Sequence, residues 1–206
     1  MTKKFLDDVY GEDQEPLVAE KLYDAWAASY DQEIAENGYV TPRRCAEALA
    51  GLAPDLTAPV LDFGCGTGLS GLALRSAGFS TIDGIDLSAE MLNIARGRQG
   101  VYRTLHQVVA EDGLPFAPGT HSHAIAAGVI SPDHAPPDMA EQILAHLPPG
   151  GILVFSLNDH ALKFPEFAGM PAEVAASGKA VLSFEERGPH LPGINLEAVV
   201  FGLTKT

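Results

Sequence analysis

The chain has 206 residues, 46% of them apolar and 19% charged, which suffices to bury a core and excludes an unfolded tail, a fibrous repeat or a disulfide-stapled miniprotein. Thirteen Lys and Arg against 27 Asp and Glu leave a formal charge of −14, a field that repels phosphate backbones and anionic lipid and so argues against nucleic acid or a membrane surface as partner. Two cysteines, Cys45 and Cys65, cannot frame a fold with disulfides and stand at no zinc spacing, so no metal site is expected and a reducing, cytoplasmic setting is.

Near the start, Phe5 and Leu6 are followed at once by Asp7 and Asp8, and no apolar run of about 18 residues follows, so neither export nor membrane insertion is expected. Residues 1–57 read as an N-terminal helical cap. In it Leu22, Trp26, Ala27 and Tyr30 recur on one helical face, and a second helix begins at Pro42 with Cys45, Ala46, Leu49 and Leu52 turned inward. Residues 58–206 read as one core domain. Apolar runs of strand length there alternate with helix-length segments: Val60 to Phe63, then Leu69 to Ala77; Thr81 to Ile85, then Ala89 to Arg96; Leu105 to Ala110; Ala124 to Val129, then Met139 to Leu147; Ile152 to Leu157. Strands that are apolar throughout, with helices between them, predict a parallel sheet covered on both faces. A helix over Pro165 to Ser177 follows, and then Ala180 to Glu186 and Leu196 to Leu203 predict two strands that close the sheet as an antiparallel edge.

The chemistry gathers at the first strand–helix junction. Gly64, Gly66 and Gly68 alternate there; without Cβ, such a turn has free φ and lets a ligand approach backbone amides and the helix N-terminus. A dinucleotide fingerprint would place a third glycine where Leu69 stands, and no Gly-Lys-Ser/Thr follows, so pyrophosphate and triphosphate loops are both disfavoured. About 20 residues on, Asp86 ends the next strand, where a carboxylate accepts hydrogen bonds from both hydroxyls of a ribose. Ser88, two residues later, is equally able to cap the next helix.

With these signals the chain resembles the class I S-adenosylmethionine-dependent methyltransferases. Leu61–Gly68, "LDFGCGTG", is similar to that family's first motif and "GIDLSAEML" to its second, and the resemblance continues through "LPF" at Leu114 to Phe116 and "LPPGGILVFS" at Leu147 to Ser156. Tyr23 to Asp31, "YDAWAASYD", with "GYVTP" and "GVY", is most similar to the Williams–Beuren-region methyltransferase-like proteins. The resemblance implies an α/β fold, Rossmann-like, with a seven-stranded and mostly parallel sheet, an antiparallel last strand, helices on both faces and the N-terminal cap. It implies S-adenosylmethionine as cofactor. Gly64, Cys65 and Gly66 would then contact the methionyl part, with Asp62 near its amino group, Asp86 on the ribose and Leu87 and Met91 flanking the adenine. Glu111 or Asp112 would meet the adenine edge. Tyr30 would close over the methionyl end, supported by Tyr23 and Trp26.

The acceptor is less legible. Where the family often carries Phe-Asp, this chain has Ser122-His123; His121 and His123 precede the fourth strand, at the end away from ligands, and read as structural. Beyond the carboxyl ends of strands four and five stand Asp133 with His134, and Asp159 with His160, so Asp133, His134 and His160 are the candidate base or acceptor clamp. The implied function is methyl transfer to a small molecule or an exposed protein side chain, with a non-catalytic, cofactor-binding regulatory module as the alternative. A nicotinamide-dependent dehydrogenase is opposed by Leu69 and by Pro148 to Gly151.

Overall fold

Seven strands pair into one sheet in this computed structural model, which describes residues 19–132 and 134–206. Helix α1 spans Ala19–Glu36 and α2 Thr41–Leu52, followed by β1 (Val60–Phe63), α3 (Leu69–Ser76), β2 (Ile82–Asp86), α4 (Ala89–Gly97) and β3 (Thr104–Gln107). After a 3-10 turn at Ala110–Asp112 come β4 (His123–Ala126), α5 (Met139–His146), β5 (Ile152–Asn158), α6 (Pro165–Ala176), β6 (Ala180–Leu191) and β7 (Leu196–Lys205). The strand order is β3-β2-β1-β4-β5-β7-β6. Strands β1 to β5 run parallel, and β7 is antiparallel to both β5 and β6.

Side chains alternate across the sheet, and each set meets its own helices. Val60, Ile125, Val154 and Val200 pack under Cys45, Ala46 and Leu49 of α2 and Leu74 of α3. Leu61, Ala124, Leu153, Phe155 and Phe201 pack under Ile143 and Leu144 of α5 and Phe167, Met170 and Val174 of α6. Helix α2 therefore covers sheet directly, whereas α1 packs on α4. Of the stripe expected on α1, Trp26 and Ala27 are buried and Tyr30 is half-buried; the side chains of Leu22 and Tyr23 lie outside the described residues. No helix among the described residues is long and apolar enough to cross a membrane.

The closing strands differ from the sequence reading in one respect. β6 continues past Glu186 to Leu191 and alone forms the edge, while β7 lies inside it. Burial explains the order: Ala198 to Leu203 are buried residue after residue, as befits an inner strand, whereas β6 alternates between covered and exposed. An edge strand also tolerates Pro189, beside which the register shifts.

Candidate functional site

Chain order reverses between β1 and β4, and in open α/β sheets the crevice beyond the strand ends at such a point holds the ligand. A cavity of about 330 Å³ opens there. The glycine turn after β1 forms its floor. Gly64 and Gly66 have φ of +65° and +52°, values that side-chain-bearing residues adopt only with strain. A Cβ on Gly64 would stand 2.5 Å from Val129, but a Cβ on Gly66 would meet nothing within 4 Å. The open space at Gly66 is the cavity, which it lines.

Asp86 joins the two motifs. Its Oδ2 accepts the Gly66 N–H at 2.8 Å and its Oδ1 the Ser88 N–H at 2.9 Å, and it lines the cavity. Burial pushes its carboxyl above the usual range, opposed by those backbone N–H groups. The capping role falls to Ser88, whose hydroxyl oxygen accepts from Met91 N–H at 3.1 Å, leaving the Asp86 carboxylate to hold the turn.

Asp62 is fully buried beneath the turn and does not line the cavity. Its Oδ2 accepts from Ser70 Oγ and Tyr102 Oη, each at 2.7 Å, and among the described residues its Oδ1 has no hydrogen-bond partner. Burial pushes this carboxyl up to about 6, against those two hydroxyl donors. Cys65 is buried, with its N–H on Ile85 O at 2.9 Å and its thiol pushed up by burial; its side chain faces Gly84.

Sequence reasoning missed Tyr102. A Cβ on Gly71 would fall 2.4 Å from its ring, and one on Gly68 or Gly84 would fall 3.1 or 2.9 Å from it. Gly68, Gly71 and Gly84, from the turn, from α3 and from β2, thus form the slot that holds Tyr102 against Asp62. Their convergence on one ring is a tertiary fact, and only "GVY" marked the place.

Around the cavity the structure brings together Tyr30, Gly64, Gly66, Asp86, Leu87, Met91 and His134 of the expected residues. Val108, Val109, Ala110 and Leu114 complete an apolar wall on the β3 side, and Pro136, Met139 and Gln142 close the other. Asp112 is exposed and does not line the cavity, which its neighbour Gly113 does. The side chain of Glu111, and Asp133 altogether, lie outside the described residues. His134 Nδ1 sits 2.5 Å from Ser131 Oγ. His160 does not line the cavity and packs edge-on to Phe164, and Asp159 is engaged by Arg187 and the Glu197 N–H. His121 is buried against Asp83 at 2.8 Å, and His123 Nδ1 accepts Ile152 N–H at 3.3 Å, both at the sheet's far end. Among the described residues no three His, Cys, Asp or Glu side chains gather as a metal set.

A methyltransferase-domain family signature matches residues 60–151. Methyltransferase-like protein 27 of Homo sapiens is 33% identical over 159 residues, 73% of this chain and 64% of its own length. Trans-aconitate 2-methyltransferase of Azoarcus sp. (strain BH72) is 32% identical over 133 residues, 62% of this chain and 49% of its own. The chain thus spans less than two thirds of either curated relative. In fold it is similar to 1,6-didemethyltoxoflavin-N1-methyltransferase of Burkholderia thailandensis, solved with 1,6-didemethyltoxoflavin and S-adenosylhomocysteine bound, at a TM-score of 0.64 and 20% identity over 94% of this chain and 93% of that one. Residues 60–151 thus match a methyltransferase domain, on a fold shared with S-adenosylmethionine-dependent methyltransferases. The residues present fit the family's cofactor: free space at Gly66, a carboxylate at Asp86 within the cavity, and apolar side chains at Leu87, Met91 and Val108 to Ala110.

Proposed function

We propose that this chain is a class I methyltransferase that binds S-adenosylmethionine in the cavity and methylates a small, uncharged, largely apolar acceptor at the end where His134 stands. The observation that carries the reading is the continuity of the cavity from Gly66 and Asp86 to His134, with apolar walls and no Lys or Arg among the described lining residues. A carboxylate- or phosphate-rich acceptor would lose its hydration there without gaining a countercharge from a described lining side chain.

The bound cofactor supplies a methyl group on a cationic sulfur, open to in-line displacement. Asp86 accepts from the ribose hydroxyls with lone pairs not used on Gly66 and Ser88, so one side chain shapes the turn and holds the ligand. Leu87 and Met91 would flank the adenine, and the Val108–Ala110 segment beside Gly113 would form its edge, with Glu111 and Asp112 adjoining that segment in sequence. Gly64, Cys65 and Gly66 present backbone to the methionyl part. Asp62 acts through the turn, as a buried negative charge below the cofactor's ammonium. Tyr30 and the apolar walls exclude water. His134, paired through Nδ1 with Ser131 Oγ, would take the proton of an acceptor hydroxyl or ring nitrogen, while the cofactor would supply the methyl group and keep the C–S electron pair on its sulfur. Asp133 adjoins it in sequence. The protein works away from membranes and nucleic acid, in the cytoplasm.

The test is methyl transfer from labelled cofactor to a panel of neutral phenols and nitrogen heterocycles, beside carboxylate acceptors and a protein-side-chain control. The reading expects turnover confined to neutral small molecules. His134→Gln should lower kcat about 100-fold or more, the usual worth of a general base, with S-adenosylhomocysteine affinity unchanged. Turnover of the carboxylates instead would overturn the acceptor class. Cofactor binding with no transfer to any class would favour the non-catalytic module.

A further inference from the structure

Helix α1 carries Asp24 and Asp31 two turns apart on one face, and each reaches a loop that walls the cofactor pocket. Asp31 Oδ1 accepts from the Thr67 hydroxyl at 2.6 Å and its Oδ2 from Arg98 Nη2 at 2.5 Å. Arg98 Nε in turn donates to the Thr67 carbonyl at 2.5 Å. Thr67 follows Gly66 directly, so these three residues close a ring between the helix and the glycine turn. Toward the other end of α1, Asp24 Oδ1 accepts from Ser88 Oγ at 2.5 Å, and Ser88 lines the cavity.

Between the two carboxylates lies Tyr30, which lines the cavity, with Trp26 set edge-on to it at 4.7 Å and 2% exposed. The apolar face of α1 rests on Leu191, Leu196, Tyr39 and Leu69. The polar ties are of a different kind. The side chains of Arg98 and Asp31 are 20% and 41% exposed, so water and salt can compete for them, as suits a tie that opens and recloses rather than a permanent strut.

We propose that Arg98 is a positioning residue for cofactor retention: with Asp31 it latches α1 to the glycine turn, the Asp24–Ser88 bond latches the other end, and together they hold Tyr30 across the pocket so that the cofactor leaves only when the helix lifts. This rests on the cofactor position proposed above. Arg98 touches no substrate. Its effect passes through Thr67 to Gly66 on one side and through Asp31 to Tyr30 on the other, which couples closure of the helix to the shape of the turn.

Trp26 is the chain's single tryptophan, so its emission reports the seating of α1 without a label. The experiment measures dissociation of S-adenosylhomocysteine by stopped flow, together with Trp26 emission, in the native chain and in Asp31→Asn, Asp24→Ala, Arg98→Ala and Arg98→Lys. Asp31→Asn keeps an acceptor for Thr67 but sets an amide donor against Arg98, and its half-exposed position makes it the variant that stays folded. Asp31→Asn and Arg98→Ala should each release ligand about tenfold faster and shift unliganded Trp26 emission to the red. The double variant should do no more than the stronger single one, as members of one unit do. Arg98→Lys should restore part of the retention. Native release rates and native emission in Asp31→Asn and Arg98→Ala would overturn the latch. The control for the site is Asp86→Ala: native S-adenosylhomocysteine affinity there would overturn the cofactor placement and the latch with it, whereas impaired affinity there beside native behaviour in the two latch variants would overturn the latch alone.

Discussion

Asp86 is the residue to which we assign two functions, shaping the turn and holding the ribose. Its two oxygens already accept Gly66 N–H and Ser88 N–H, so removing it costs the turn its shape as well as the ribose its partner. Hydrogen bonds to a charged group are worth about 1.5–3 kcal/mol each, less what water restores. Asp86→Ala should therefore weaken S-adenosylhomocysteine at least tenfold by calorimetry while the chain stays folded; native affinity in a folded variant would remove Asp86 from the site. The place of Asp86 at the cavity was legible in the sequence because it follows from a strand end. The glycines were legible for the same reason, since a turn that needs positive φ announces itself. Tyr102, the pairing of Ser131 with His134 and the reach of Arg98 to Asp31 were not, because each partner is chosen by folding and not by spacing.

Among the elements, α2 and α1 share the N-terminal segment but do different things. Helix α2 covers Val60, Ile125 and Val154 of the sheet, while α1 rests on α4 and on the turn between β6 and β7. The proposed division at residue 57 therefore matters less to stability than the gap between Glu36 and Thr41. Deleting residues 1–36 should leave a cooperatively folding sheet with native-like far-UV circular dichroism, yet weaken S-adenosylhomocysteine about tenfold or more, because Tyr30 and the Asp31 tie are lost. Global unfolding of the truncated chain would show α1 to be core, and native affinity would show it to be irrelevant to the pocket. The strand–helix alternation was readable because fully buried strands lack the polar alternation of exposed ones. The reach of β6 to Leu191 was not, since Gly188 and Pro189 read as a turn and are tolerated only because β6 is the edge.

Across the whole molecule, the two ends of the chain are tied by buried polar groups. Arg44 of α2 is 8% exposed and donates to the carbonyls of Glu186, Pro189 and Ala198, and Thr41 Oγ1 lies 2.7 Å from His190 Nδ1. Burial holds the His190 imidazole down to about 4, with Asp159 opposing and Arg44 adding to the depression. A depressed folded value means that its stabilisation is full above the ordinary histidine value of about 6.5 and is lost as pH falls toward 4. His190→Gln should thus be less stable than the native chain at pH 8, by about 1–2 kcal/mol, with the difference closing between pH 6.5 and 4 in denaturant titrations. A difference independent of pH would contradict the account.

The central claim is that the crevice at the turn of the sheet holds S-adenosylmethionine through the Gly66 turn. Its most direct test is calorimetric titration of the native chain and of Gly66→Val with S-adenosylhomocysteine, with NAD as the competing ligand. Valine at φ +52° costs about 1–2 kcal/mol in backbone strain and stands its branched side chain in the open space of the cavity. The account predicts a single site for S-adenosylhomocysteine in the native chain, no binding in folded Gly66→Val, and no heat with NAD. Equal binding of S-adenosylhomocysteine by both chains, or binding of NAD alone, would contradict it.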